Sequence, residues 1–267
     1  MILNYDYWFF ESVIPSEICD KILETGIVEM HNVKKEYGDQ ATIATTGDQR
    51  QKDSPFRSNK DTISVESLTA EGLRKKGLSS NDVYLRDSNV AFINNTWIYD
   101  IIWPFIHEAN AQAGWNFEWD FTEDLQFTKY SVNQFYGWHA DASPSPYRIF
   151  DPTIDKQAVD SDGNLVYDLD GNPVPEDSIC VYNKNMEGKI RKLSMTLSLN
   201  DPSEYTGGNL RFDFGPHSEG RRYHTCKEIR PKGSLIVFPS HIHHQVTPVK
   251  SGTRYSLVAW SLGKPWK

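Results

Sequence analysis

The sequence predicts a mainly β fold, a barrel or sandwich, backed by a few supporting helices. Three observations carry this. The chain holds eight Trp, 13 Tyr and 13 Phe among 267 residues, and flat rings pack well on pleated surfaces. From residue 115 onward, short extended runs follow one another with turn residues between them and no helical period. Leu193, Met195, Leu197 and Leu199 alternate with Ser194, Thr196 and Ser198, a period of two that sets a core face against a small-polar surface.

The elements follow in order. Residues 5–13 read as an extended entry. Ile14-Pro15-Ser16 then opens a helix, with Ser16 as its cap, Glu17 in the first turn, and Ile18, Ile22 and Leu23 on one face. Residues 37–60 are polar and aperiodic, which predicts a long loop, either a lid or binding loop or a disordered connector. A second helix is expected over 96–112, where Ile98, Ile101, Ile102, Phe105 and Ile106 share a stripe that would pack on a sheet. Pro104 should kink that helix or split it. Strands are expected at 117–121, 125–132, 135–140, 193–199, 209–214, 234–238, 244–249 and 255–261. Gly207-Gly208, Pro231-Lys232-Gly233 and Ser251-Gly252 supply turns. Residues 142–190 interrupt the run as an acidic insertion. Within it, Asp160-Ser161-Asp162-Gly163-Asn164 is echoed by Asp168-Leu169-Asp170-Gly171-Asn172. The spacing fails as a calcium loop and fits a hairpin with two turns. The whole reads as one catalytic domain, 1–267, with helical support and a lid loop over 1–114 and the strand core over 115–267.

Bulk properties exclude several classes. A net charge of -8 argues against general affinity for nucleic acid or an anionic membrane surface. No stretch reaches the ~20 apolar residues of a membrane span, and no leader peptide is read at the N-terminus. Cys19, Cys180 and Cys226 are scattered and form no CxxC pair. A reducing compartment therefore follows, and a thiolate metal site does not.

Chemistry concentrates late in the chain. His139 and Asp141 stand two apart, so in a strand both point to one face. His241, His243 and His244 are candidates for a third ligand. His244 is chosen because it opens an extended run after the turn at Pro239-Ser240; His243 then faces the other way. Two imidazoles and a carboxylate leave a metal with open positions, the set of a non-haem Fe(II) centre. Zinc accepts the same donors, but a zinc hydrolase has no need of Arg254, ten residues beyond His244, as a fixed cation for an organic acid.

The stretches FTKYSVNQFYGWHADA, RKLSMTLSLNDPSEYTGGNLRF and KGSLIVFPSHIHHQVTPVKSGTRYSLVAW resemble the 2-oxoglutarate- and Fe(II)-dependent dioxygenases. The similarity is nearest the prolyl 4-hydroxylase-like branch with its bacterial and viral PKHD-type hydroxylases. It covers residues 82–267, beginning near Arg86 and Ser88. It implies a double-stranded β-helix, a cupin-like jelly-roll with helices packed on one sheet. It also implies iron on His139, Asp141 and His244, and 2-oxoglutarate chelating that iron, its far carboxylate on Arg254 beside Tyr130. Ser256 is expected to add a hydrogen bond, and Thr196 is a further candidate. O2 is the other co-substrate, and ascorbate fits as an accessory reductant. Asp141 fills the position a halide would need, so hydroxylation is the expected outcome. Tyr136, Trp138 and Trp260 are candidates for a wall against a proline-containing peptide or protein. A cytoplasmic setting, bacterial or in a virus-infected host, accords with the cysteines. One departure stands out: the family's usual Gly-Gln before the metal motif is here Asn133-Gln134.

Two other readings compete. A hydroxylase of a free amino acid or other metabolite would close its pocket with the loops at 37–60 and 142–190, where a peptide hydroxylase would leave a groove. A non-catalytic jelly-roll binding module would have no need of all four of His139, Asp141, His244 and Arg254.

Overall fold

A computed structural model describes residues 5–47, 84–142, 145–158, 165, 171–177, 179–215 and 222–266. Its strands, in chain order, are β1 (Trp8–Phe10), β2 (Ile43–Gly47), β3 (Tyr84–Ile93), β4 (Phe121–Thr122), β5 (Leu125–Tyr130), β6 (Phe135–His139), β7 (Arg148–Ile149), β8 (Cys180–Val181), β9 (Ile190–Ser198), β10 (Tyr205–Gly207), β11 (Leu210–Asp213), β12 (Tyr223–Thr225), β13 (Leu235–Pro239), β14 (His243–Val246), β15 (Val249–Gly252) and β16 (Arg254–Gly263). The α-helices are α1 (Ser16–Tyr37) and α2 (Thr96–Gln112).

Twelve strands join one curled antiparallel sheet, ordered β1-β13-β9-β16-β5-β3-β6-β14-β11-β12, with β2 added to β3 and β4 to β16. This is the double-stranded β-helix, mainly β with helices on one sheet. The helices cover the outer face of β13, β9, β16, β5 and β3. Ile22 of α1 and Ile98, Ile102 and Ile106 of α2 pack there with Phe127, Leu193, Met195, Leu197, Leu235, Val237 and Leu257. A second cluster, with Phe212, Ile236, Phe238 and Val246, fills part of the space between the facing walls.

β9 therefore has no solvent face. Ser194, Thr196 and Ser198 are buried along with the leucines, where the alternation had suggested a polar surface. Helices cover one side and the barrel interior takes the other, so period two separates a dry core from a polar cavity lining.

Other expectations shift for local reasons. Ser16 is the first helical residue and caps nothing; the Pro15 carbonyl accepts from the amides of Ile18 and Cys19. α2 is not split by Pro104. Pro104 and Asp100 both face solvent, so the carbonyl that loses its donor can take water. Residues 117–120 form no strand, because the buried Asn110 side chain satisfies Phe117 instead, donating to its carbonyl and accepting from its amide at 2.9 Å each. The expected loop at 37–60 contains a 3-10 turn at Asp39–Thr42 and β2, which pairs with β3; its remainder, 48–60, lies outside the described residues. So do most of the two expected turns of the insertion. Around them, β7 and β8 pair in parallel and Gln157 bridges Pro175.

All three cysteines are free and buried. No described helix is long and apolar enough to cross a membrane.

α1 meets the sheet at Gly26. A Cβ there would lie 2.3 Å from the ring of Phe127, which is fully buried. Gly26→Ala should thus lose stability by overpacking, about 1–3 kcal/mol, outweighing the helix-propensity gain of up to ~1 kcal/mol. Urea denaturation would measure it; a variant as stable as the parent would show that α1 can lift off the sheet freely.

Candidate metal centre

β6 and β14 are neighbours, and His139 pairs directly with His244 across them. Strand pairing thus joins two imidazoles 105 residues apart in sequence, with ring centroids 4.2 Å apart. β6 ends at His139. Asp141 lies two residues past it, in a bend whose amides at Asp141 and Ala142 both donate to the Ser240 carbonyl at 2.9 Å. The dyad straddles a strand end instead of lying within a strand, and Ser240 does the positioning.

The pairing register slips between His244↔His139 and Val246↔Tyr136. β6 carries one extra residue there, a bulge that re-aims side chains. Tyr136 and His139, three apart, consequently share a face, and their rings stack at 3.5 Å and 10°. Trp138 is turned away: its indole packs beside Tyr223 and Arg211.

The donor atoms of His139, Asp141 and His244 all fall within 4.8 Å of one another. His139 Nδ1 meets the Gly137 carbonyl at 2.8 Å and His244 Nδ1 meets the Ile242 carbonyl at 3.0 Å. A carbonyl only accepts, so each Nδ1 carries the proton and each Nε2 presents a lone pair. The two Nε2 atoms flank Asp141 at 3.6 and 3.5 Å, beyond hydrogen-bond range, as expected of groups arranged around a shared point. Burial pushes the His139 imidazole down to about 3, helped by His244 and opposed by Asp141. Burial alone would raise the Asp141 carboxyl, but His244, His139, Arg191 and the Ser194 hydroxyl together hold it below its ordinary value. Two imidazole nitrogens and one ionised carboxylate suit a divalent metal of the non-haem iron type.

Ser194 Oγ donates to Asp141 Oδ2 at 2.7 Å and lies 2.9 Å from Ser240 Oγ. From Ser194 the polar column of β9 leads along the β16 wall, where Ser194 faces Trp260, Thr196 faces Val258 and Ser198 faces Ser256. Arg254 closes the series on the same face as Ser256. It is 3% exposed, its Nη1 donates to Ser256 Oγ at 3.1 Å, and its guanidinium stands 5.3 Å from the Tyr130 ring. No carboxylate among the described residues pairs with it. Gly208 permits the approach: its φ is +57°, and a Cβ there would come 3.0 Å from Arg254 Cδ. Asn133 also adopts positive φ, at 70°, a conformation Asn tolerates nearly as Gly does.

Several contributors were not assigned from the sequence. Arg191 makes a two-pronged pair with Glu123, both bonds 2.6 Å, while lying 3.9 Å over the Trp260 ring. Arg86 of β3 sits 4.6 Å over the Tyr136 ring. Ser240 and Glu123 are dispersed in sequence and carried no motif. The one available signal was an arginine opening the small-polar strand, at Arg191-Lys192-Leu193-Ser194.

Against known proteins, the family model described as "2OG-Fe(II) oxygenase superfamily" matches residues 125–262, more than half of the chain. A PKHD-type hydroxylase of a Synechococcus species is 44% identical over 71 residues, 26% of this chain and 28% of that protein. One from Hyphomonas neptunium is 38% identical over 68 residues, 26% and 27% of the two chains. The aligned region thus spans little more than a quarter of these relatives. The solved viral collagen prolyl hydroxylase of Paramecium Bursaria Chlorella virus-1, in its 2OG complex, shares the fold, with a TM-score of 0.50, 13% identity and 97% of each chain covered. The metal-type triad, the buried arginine and the family match over 125–262 agree, and the chain belongs to the 2OG-Fe(II) oxygenase superfamily.

Proposed function

We propose that the chain acts as one catalytic domain, an Fe(II)- and 2-oxoglutarate-dependent oxygenase that hydroxylates a peptidyl residue, foremost proline. One observation carries the reading: three metal-type donors converge at one end of a polar column, and a buried arginine with no carboxylate partner among the described residues stands at the other. A buried cation left unpaired is costly, and a dicarboxylate co-substrate spanning the column would neutralise it.

In this reading His139, Asp141 and His244 hold Fe(II), and Arg254 takes the far carboxylate of 2-oxoglutarate, assisted by Ser256 and Tyr130. Thr196 contributes to the polar wall beside the bound co-substrate. When bound, the iron with O2 and 2-oxoglutarate supplies the oxidant: one oxygen atom enters the substrate C–H bond, the other enters succinate, and CO2 leaves. The chain's own part is positional. Ser194 orients Asp141, the two backbone carbonyls set the imidazole tautomers, and the apolar cluster around Phe212 and Phe238 excludes water. Tyr136 and Trp260 give the metal group an aromatic border suited to a pyrrolidine ring. Trp138, packed on Tyr223, drops out of the set. The PKHD-type relatives support hydroxylation as the outcome.

The test is succinate formation from 2-oxoglutarate by the iron-loaded protein under O2, with and without proline peptides. Absence of succinate under all conditions would favour a binding module. His139→Ala should abolish turnover and lower bound iron, read by metal analysis. Arg254→Ala should weaken 2-oxoglutarate binding by about 2–5 kcal/mol, read by calorimetry; ordinary affinity would remove the anchor assignment. Ser194→Ala should reduce iron affinity roughly 10–100-fold, measured by competition with a chelator.

A further inference from the structure

The interior holds a second arginine that the co-substrate leaves unmatched. Arg86 Nε donates to Ser88 Oγ at 2.8 Å and its Nη1 donates to Gln126 Oε1 at 3.3 Å. Both partners are buried and neutral. Its Nη2 is buried with no hydrogen-bond partner, and no carboxylate among the described residues pairs with it. Such a group in a native site calls for a ligand or water.

The surrounding charges are already committed. Glu123 neutralises Arg191. Asp141 and one end of 2-oxoglutarate offset the metal, and the other end offsets Arg254. The neighbouring Asp87 carboxylate is held by the neutral Gln134 amide and makes no ion pair with Arg86. Arg86 is left without an ion-pair partner among the described residues, held only by neutral groups. Its position relative to the chemistry is narrow: the guanidinium lies 4.6 Å over Tyr136, whose ring stacks 3.5 Å on His139. End to end, these separations keep Arg86 within about 8 Å of the metal-binding imidazole, the span of roughly two residues of extended chain.

Resting on the oxygenase reading above, we infer that the substrate carries a carboxylate, a few bonds from the oxidised carbon, that docks on Arg86. Ser88 and Gln126 hold the guanidinium in place and leave the Nη2 edge for the incoming anion. The carboxylate has two sources with the same chemistry: the α-carboxylate of a free amino acid or chain end, and an acidic side chain beside the target residue.

The probes are matched pairs. They comprise free L-proline and L-prolinamide, an N-acetylated Ala-Pro-Ala peptide with a free or an amidated C-terminus, and the amidated peptide with Asp or Asn after proline. The other free amino acids and their amides extend the set. Binding is measured by calorimetry on the full chain with Fe(II) and 2-oxoglutarate in the absence of O2. At least one carboxylate probe should bind about tenfold or more tightly than its amide, the scale of a charge-assisted hydrogen bond. That ratio should fall to about one in Arg86→Gln and be partly kept in Arg86→Lys. Because the readout is a ratio within one variant, general loss of folding does not mimic it. The pair that discriminates identifies the source. Carboxylates indistinguishable from amides, whether both bind or neither does, overturn the inference, as does an unchanged ratio in Arg86→Gln. Succinate formation with and without the probes separately tests the oxygenase reading: its absence under all conditions sinks that reading, and its presence alongside equal binding sinks only the role of Arg86.

Discussion

A buried carboxylate that must stay ionised is the constraint around which this molecule is arranged. Asp141 has lost most of its water, and water loss alone would favour the protonated acid. Two imidazoles, the Ser194 hydroxyl and the nearby Arg191 reverse that preference. They arrive on three elements: His139 on β6, His244 on β14, Ser194 and Arg191 on β9. The curl of the sheet is what lets those strands surround one point, and the amides of Asp141 and Ala142 bound to Ser240 lock the bend that delivers the carboxylate. A flat sheet of the same strands would leave Asp141 exposed and its partners apart.

Around that point the interior is sorted by charge. Arginines stand at three places on the cavity lining, and among the described residues only Arg191 has a carboxylate partner, Glu123. Arg254 and Arg86 are held by serines and a glutamine, which orient a guanidinium without neutralising it. Neutral partners keep the sites open to anions from outside; acidic ones would have closed them. The second cluster of apolar side chains between the walls keeps water scarce, so each unmatched charge retains its pull.

Much of this was legible in the residues. The His139-x-Asp141 spacing, the isoleucine stripe of α2 and the serine–leucine alternation of β9 are local patterns, and local periodicity survives folding. Legibility failed where a partner distant in sequence decided the outcome. The amide and carbonyl of Phe117 turn to Asn110, so no strand forms there. β2 exists because β3 has an edge to offer. The bulge in β6 cannot be read from Phe135-Tyr136-Gly137-Trp138-His139 alone, because an extra residue is defined only against the strand opposite. That bulge decides that Tyr136, and not Trp138, borders the metal group. Arg86 went unassigned for the same reason, since its meaning lies in what does not face it.

The three cysteines carry a last implication. Burial pushes the thiols of Cys19 and Cys226 up to about 11 and about 12, and that of Cys180 up as well. Thiolate, not thiol, is the form that peroxides attack. If the chain handles iron beside dioxygen, as proposed, any stray oxidant would meet sulfur that is buried and held protonated. Burial would then spare the thiols the wear of that proposed chemistry.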